Sequence, residues 1–143
     1  MFSKTCEYAI RAMIFIAQKS KKGYKVGIKE IAAGIDSPVH FIAKILQDLS
    51  KKGFLQSLKG PNGGFYVDTD AMEYSLADIV KAIDGDKIFL GCGLGLKECS
   101  PSQPCPIHHE FSKVRAATFT MLKKAKLGQF SSQLEKELTF LKR

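Results

Sequence analysis

The sequence predicts a mainly α-helical fold with a small β-wing, arranged as a winged helix-turn-helix followed by a long dimerisation helix. Apolar residues recur at helical spacing through the first third of the chain, and a glycine-rich turn then joins two strand-like segments. A further amphipathic segment follows residue 110. We expect a winged helix-turn-helix over 1–70, a connecting helix over 71–90, a cysteine-rich loop over 91–109, a dimerisation helix over 110–128 and a tail over 129–143.

The first three helices are predicted from apolar spacing and from the residues that begin and end helices. The spacing predicts a helix over 7–18 and a short one over 28–33, which we expect Gly34 to end. Asp36 and Ser37 predict a capping side chain, with Pro38 at the first position of a helix over 38–52, where its missing N–H is tolerated. The residues expected to be buried on that helix are Phe41, Ile42, Ile45, Leu46 and Leu49.

A hairpin directly after the third helix predicts the wing. Residues 54–59 and 65–67 are strand-like and flank Gly60-Pro61-Asn62-Gly63-Gly64, which lacks the GxxxxGK[ST] pattern of a phosphate loop. In helix-turn-helix proteins the second helix enters the major groove, so base edges are expected at its N-terminal residues and phosphates at its lysines. The predicted DNA contacts are Ser37, Pro38, Val39, His40, Lys44, Lys51, Lys59, Gly60, Asn62 and Gly63. Taken singly, each lysine is more simply interpreted as a solvated surface residue, and His40 is equally well interpreted as an ordinary exposed helix residue.

The charge and the motifs that are absent limit the possible functions. Lys and Arg number 22 against 14 Asp and Glu, a net charge of +8 that favours double-stranded DNA but would also attract anionic membranes. No apolar stretch approaches the ~20 residues of a membrane span, and no export signal is evident, so we expect a cytoplasmic protein without membrane contact. Nucleophile motifs, paired catalytic carboxylates and nucleotide fingerprints are missing, which predicts that the protein is not an enzyme.

Three of the four cysteines lie in one irregular segment after a predicted helix over 74–84, which Ser75 and Asp78 would cap and Gly85 would end. Cys92, Cys99 and Cys105 cannot all pair with one another, and a reducing compartment favours metal or redox ligation. Structural zinc sites commonly use closer pairs, so the spacing favours an iron–sulfur cluster. His108 is the nearest fourth ligand, with His109 less favoured, although either could be a plain polar residue.

A long amphipathic helix is predicted over 110–127. Its apolar face comprises Phe111, Val114, Ala117, Met121 and Leu122, broadened by Phe119. A small winged helix has little core for this face to cover, so we expect it to pack against a second subunit, as a homodimer would on a symmetric operator. The alternative is that it folds back on its own domain. Residues from 129 onwards are predicted to form a weaker, charged helical tail.

The order of CEYAIRAM, IAAGIDSPVHFIAKILQDL, KGPNGGF, SLADIV and the three-cysteine loop resembles the IscR/NsrR-type family of bacterial regulators, through about residue 128. The resemblance implies a homodimer with crossed long helices and cluster-gated DNA affinity. It implies cluster ligation by Cys92, Cys99 and Cys105. His108 at the family's histidine position implies a 2Fe–2S cluster, whereas Glu7, near an acidic position that ligates across the dimer, implies 4Fe–4S. The resemblance leaves both cluster types, and both fourth ligands, open.

Other functions are compatible with parts of this pattern. Members of the family without a cluster exist, so a cluster-free or zinc-binding DNA regulator that uses thiol redox is the main alternative. An iron–sulfur electron carrier or enzyme is a weaker one. An RNA-binding winged helix is disfavoured because the sequence offers no aromatic stacking platform.

Overall fold

The computed structural model describes all 143 residues as a helical chain with one two-stranded antiparallel sheet. The elements in order are α1 (Lys4–Lys21), α2 (Ile28–Ile35), α3 (Val39–Lys51), β1 (Gln56–Leu58), β2 (Gly64–Tyr66), α4 (Leu76–Asp84), α5 (Lys87–Leu90), α6 (His108–Lys124) and α7 (Ser131–Glu135). Short 3-10 turns cover Asp70–Glu73 and Leu127–Gln129. This order confirms the predicted fold class. The one-turn helix α5 was not predicted.

Helix α1 is the centre of the fold, since α2, α3 and α4 all pack against it. It starts three residues earlier than predicted because Ser3 caps it, its Oγ accepting a hydrogen bond from the Cys6 amide at 3.0 Å. The side chains it buries recur at helical spacing and include several alanines, which leave room for the neighbouring helices: Cys6, Ala9, Ala12, Met13, Ile14, Ile16 and Ala17.

The turn between α2 and α3 differs from the sequence prediction. Helix α2 continues through Gly34, where a Cβ would lie 2.3 Å from the Phe15 ring, so this glycine allows close packing and does not end the helix. Asp36 instead ends α2 in the left-handed conformation, with φ of 53°. The predicted side-chain cap is therefore wrong. Pro38 has extended backbone and is itself the N-cap of α3, so the helix begins one residue later than predicted; because proline has no side-chain acceptor, no side chain bonds the first turn.

Helix α3 buries four of the five predicted residues, and these form one stripe: Ile42, Ile45, Leu46 and Leu49. Phe41, the fifth, is 44% exposed, so its predicted burial is wrong. It lies at the edge of the stripe, where its ring is 6.2 Å from that of Tyr8. The apolar stripe thus holds the helix against the main core, while the opposite face of the helix remains exposed.

The wing is a short antiparallel hairpin that is also bonded to the helical head. Strand β1 pairs with β2 in the register Gln56↔Tyr66, Ser57↔Phe65 and Leu58↔Gly64, so both strands are shorter than predicted. Val26, between α1 and α2, exchanges two backbone hydrogen bonds with Phe65, at 3.0 and 2.7 Å. These bonds hold the hairpin against the connection between α1 and α2.

Helix α4 is capped as predicted. Ser75 Oγ accepts from the Asp78 amide at 3.2 Å, and Asp78 Oδ2 accepts from the Ser75 amide at 2.8 Å, which completes a capping box. The helix ends at Gly85, also as predicted. A second small apolar cluster joins α4 and α5 to α6 and the start of α1: Cys6, Ala77, Val80, Phe89 and Leu122.

The chain after α6 returns to the helical head. Leu127 is buried in the main core, and Leu134 and Leu141 pack against it. Arg11 Nη1 on α1 donates to the Ile35 carbonyl at 2.7 Å and to the Leu141 carbonyl at 3.4 Å. The C-terminal segment thus lies against the end of α2. None of the helices combines the length and apolar character needed to cross a membrane.

Candidate functional site

The exposed face of α3 carries the residues that the sequence predicts for DNA contact. Pro38, Val39 and His40 are exposed at its N-terminal end, whereas Ser37 before it is half-buried. Lys44 and Lys51 are exposed further along, on the side away from the buried stripe. The N-terminal end of the helix and its lysines are thus accessible to a ligand, as a recognition helix requires.

The wing residues predicted to contact DNA lie at the exposed turn of the hairpin. Lys59, Gly60 and Asn62 are exposed. Gly63 is half-buried, and a Cβ there would lie 2.0 Å from the Leu58 carbonyl oxygen, so the turn itself requires this glycine. The roles of these residues in DNA contact stay predictions.

The cysteine loop brings Cys99 and His108 together. Cys99 Sγ lies 3.3 Å from His108 Nδ1 and accepts a hydrogen bond from Arg115 Nη2 at 3.2 Å. Cys92, Cys99 and Cys105 are all half-buried free thiols. His108 is the first residue of α6, so the helix holds its imidazole beside the loop. The exposed His109 contacts the His108 ring, at 5.2 Å between centroids.

Cys92 lies in a setting that stabilises a thiolate. Hydrogen bonds from the backbone N–H groups of Leu94 and Leu96 hold the pKa of the Cys92 thiol below its usual value, and a contact with Cys105 acts in the same direction. Of the four donors of the loop, Cys99 and His108 are in direct contact. Backbone N–H groups that point at a sulfur are also a means by which proteins stabilise cluster ligands.

A stripe of three side chains on α6 supports this loop. His108 contacts Cys99, and the Phe111 ring covers Gly93, where a Cβ would lie 2.9 Å from the ring. Arg115 Nη1 donates to the Gly91 carbonyl at 2.8 Å. Phe111 was predicted on the face toward a second subunit; its ring packs against the loop of its own chain, and the packing of that face against a second subunit stays a prediction. Sequence reasoning also missed Arg115, although its helical spacing from His108 and Phe111 was a usable signal.

Other residues of the predicted α6 face are left uncovered by their own chain. Only Leu122 is buried, while Val114 and Met121 are each 56% exposed. Leu122 and Phe119 of the same helix pack against α4 and α5, so part of the face folds back on its own chain, while Val114 and Met121 do not. A cavity of about 570 Å³ beside this helix is lined by Met1, Asp84, Cys92, Val114 and Arg115, among others.

The donors of the loop are of the kinds that bind iron–sulfur clusters. No three of the His, Cys, Asp and Glu side chains are close enough together to hold one metal ion. Three thiols and an imidazole are donors that iron–sulfur clusters use, so the chemistry of the loop is compatible with such a group. Glu7, the other candidate ligand, forms an ion pair with Lys4 at 2.8 Å. That hydrogen bond lowers the pKa of Glu7.

Comparisons with known proteins agree with this architecture. The sequence profile of the Rrf2 family, described as "Iron-dependent Transcriptional regulator", matches residues 2–133. A putative HTH-type transcriptional regulator of Aquifex aeolicus is 31% identical over 118 residues, covering 81% of each chain. The HTH-type transcriptional regulator NsrR of Oceanobacillus iheyensis is 27% identical, covering 96% of this chain and 94% of the relative.

A solved structure shares the fold. CymR of B. subtilis, titled the global cysteine regulator of that organism, superposes with a TM-score of 0.74 at 19% identity, covering 92% of this chain and 96% of CymR. The relatives are named as regulators and not as enzymes, which confirms that expectation. The resemblance stated from the sequence is likewise confirmed. The chain belongs to the Rrf2 family of transcriptional regulators.

Proposed function

We propose that this protein is a homodimeric, cytoplasmic regulator that binds double-stranded DNA with an affinity gated by an iron–sulfur cluster on Cys92, Cys99, Cys105 and His108. The observation that carries the proposal is the 3.3 Å contact between Cys99 Sγ and His108 Nδ1, in a loop seated directly on α6. The family description as an iron-dependent regulator supports the same conclusion.

The DNA-binding part of the proposal is supported by the exposed end of α3 and by charge. The net charge of +8 favours a polyanion, and Lys44, Lys51 and Lys59 lie exposed on the helix and wing that would contact phosphates. His40 and Val39 at the start of α3 would reach base edges, with Asn62 of the wing in the adjacent minor groove. The remaining predicted contacts are Ser37, Pro38, Gly60 and Gly63.

The dimer is supported by the uncovered apolar residues of α6. Val114 and Met121 lie one above the other at helical spacing and are more than half exposed. A second copy of the helix would remove both from water, and a two-fold dimer would present two α3 helices to the two halves of a symmetric operator.

The choice of His108 over Glu7 is supported by the contacts of each. His108 lies against Cys99, whereas the carboxylate of Glu7 is paired with Lys4 and would have to leave that partner to ligate a cluster across the dimer. We therefore favour a 2Fe–2S cluster. When bound, the cluster would supply a redox-active, charged group at the loop, while the residues of this chain determine how the loop rests on α6.

Gating follows from the way the loop is supported. His108, Phe111 and Arg115 all belong to α6 and all contact the loop, so the position of the loop and that of the helix are linked. If α6 lies at the dimer interface, a shift of the helix alters the spacing of the two α3 helices. DNA affinity would then depend on the state of the cysteines.

The first test is anaerobic purification, with the absorption spectrum, iron and acid-labile sulfide measured before exposure to air. We expect visible charge-transfer bands and about two irons per chain for a 2Fe–2S cluster. His108→Ala should lower iron and sulfide retention, whereas His109→Ala is the matched control and should not. Four irons per chain, with retention lost in Glu7→Gln and kept in His108→Ala, would contradict the proposed ligand set.

A second candidate function is thiol sensing without a cluster, which the lowered pKa of the Cys92 thiol favours, with Cys105 of the same loop as the partner thiol. A two-electron oxidant such as a peroxide would take two electrons and two protons from these thiols and leave a disulfide. A colourless protein whose DNA affinity responds to peroxide, and loses that response in Cys105→Ala but not in Cys6→Ala, would establish this function instead.

A further inference from the structure

One side chain of α6, Arg115, contacts the cysteine loop at two separate points. Its Nη1 donates to the Gly91 carbonyl, next to the first loop cysteine, at 2.8 Å. Its Nη2 donates to Cys99 Sγ, in the middle of the loop, at 3.2 Å. The planar guanidinium therefore links two loop segments to each other and both to the helix, which a single-point donor such as lysine cannot do.

The guanidinium is held in place by its surroundings. It lies against the Phe111 ring, with 5.7 Å between the guanidinium carbon and the ring centroid. Its Nε is buried without a hydrogen-bond partner, which is unfavourable for a charged group. The side chain thus makes its two loop contacts although its third donor group stays unsatisfied.

The contact with Cys99 has an electrostatic consequence as well as a geometric one. A charge-assisted hydrogen bond stabilises electron density on the sulfur atom. Positive charge and hydrogen bonds at ligand sulfurs favour the reduced form of a cluster bound there, because reduction adds negative charge. Arg115 should therefore affect both the position of the loop and the redox behaviour of whatever Cys99 ligates.

We propose that Arg115 is a positioning residue that fastens Gly91 and Cys99 to α6, so that a change in the state of the cysteines is passed to that helix. The proposal rests on the cluster-gated function above. It predicts that removing the guanidinium leaves the loop able to change state without the DNA-binding half of the molecule responding.

The experiment compares Arg115→Gln and Arg115→Lys with a control on the same helix, Lys113→Gln. Lys113 has the same charge as Arg115, but its side chain is 71% exposed and pairs with Glu110 at 2.9 Å. The control therefore removes a positive charge from α6 without touching the loop. Arg115→Lys keeps the charge and loses the two-pronged contact.

Three quantities are measured. In the metal-free protein, amide hydrogen exchange over 91–99 should quicken by about tenfold in Arg115→Gln and in Arg115→Lys, from the loss of two hydrogen bonds. In the loaded protein, the reduction potential should fall in Arg115→Gln and recover most of the way in Arg115→Lys. The ratio of DNA affinities between loaded and metal-free protein should collapse toward one in Arg115→Gln. Lys113→Gln should change none of the three.

The outcomes separate this proposal from the proposed function. Exchange rates in Arg115→Gln equal to those of Lys113→Gln would overturn the proposal without any cluster being needed for the measurement. Faster exchange in Arg115→Gln with an unchanged ratio of DNA affinities would overturn it too. Arg115 would then hold the loop on α6 without passing the state of the cysteines to DNA binding. If the wild-type protein takes up no cluster, the proposed function fails, while the exchange data still decide whether Arg115 holds the loop.

Discussion

Replacing Gly64 by alanine should detach the wing from the helical head. Gly64 begins β2 with φ of 140°, a conformation that L-residues rarely adopt. A Cβ there would lie 2.8 Å from both the backbone nitrogen and the backbone oxygen of Val26. Because these atoms belong to the backbone, no change of rotamer relieves the clash, and the two hydrogen bonds between Val26 and Phe65 must lengthen or break.

The size of the effect follows from two contributions. An alanine in this backbone conformation costs about 1–3 kcal/mol of strain. Losing two backbone hydrogen bonds costs about 0.5–1.5 kcal/mol each. We therefore expect Gly64→Ala to lower the free energy of unfolding by about 2–6 kcal/mol, a large fraction of the ~5–15 kcal/mol typical of a domain.

Gly60→Ala in the same turn is the matched control. Gly60 also has a positive φ, 107°, but a Cβ on this residue would meet no atom within 4 Å, so only the strain contribution applies. Urea unfolding followed by circular dichroism, at one fixed protein concentration because dimerisation affects stability, measures both variants. Gly64→Ala should be less stable than Gly60→Ala by about 1–3 kcal/mol. A difference below about 0.5 kcal/mol would refute the close approach of Gly64 to Val26.

The remaining predictions concern the α4 cap, the buried thiol and the C-terminal segment. Ser75→Ala removes the cap of α4 and should lower the free energy of unfolding by about 1 kcal/mol, measured by urea unfolding; an unchanged midpoint would show that the capping box contributes nothing. Burial raises the pKa of Cys6 to about 12. Above the ordinary thiol pKa, therefore, the unfolded chain releases the Cys6 proton and the folded chain does not. The free energy of unfolding should be constant in this respect below pH ~9 and fall by up to about 1.4 kcal/mol per pH unit toward pH 12. Cys6→Ala should show a shallower decline over that window, and equal slopes would contradict the assignment. Deleting residues 138–143 removes the Leu141 carbonyl that accepts a hydrogen bond from Arg11. Amide exchange at the C-terminal end of α2 should become faster, and exchange in α1 is the internal control. Unchanged exchange at the end of α2 would show that the C-terminal segment does not stabilise it.

The sequence by itself determined the elements whose signals are local. The stripe on α3, the capping box of Ser75 and Asp78, and the glycine-rich turn of the wing each depend on residues within a few positions of one another. These three predictions matched the structure to within a few residues, whereas the equally local prediction of a side-chain cap before α3 did not, because Pro38 is the N-cap. His108 was singled out in the same way, because it follows Cys105 at short spacing; it begins α6 beside the loop, and its role as a ligand stays a prediction.

Only the tertiary structure decided the features that depend on distant residues. Gly34 looked like a helix end, yet α2 continues through it, and the Phe15 ring packed against it explains why the position is a glycine. Phe41 has helical spacing with the buried stripe but lies at its edge. The sequence pattern does not say how far around the helix burial extends. Arg115 became recognisable only once the loop was seen folded over α6. Local propensity and periodicity fix which segments form helices and strands, whereas exposure and side-chain partners are set by the packing of segments far apart in the chain.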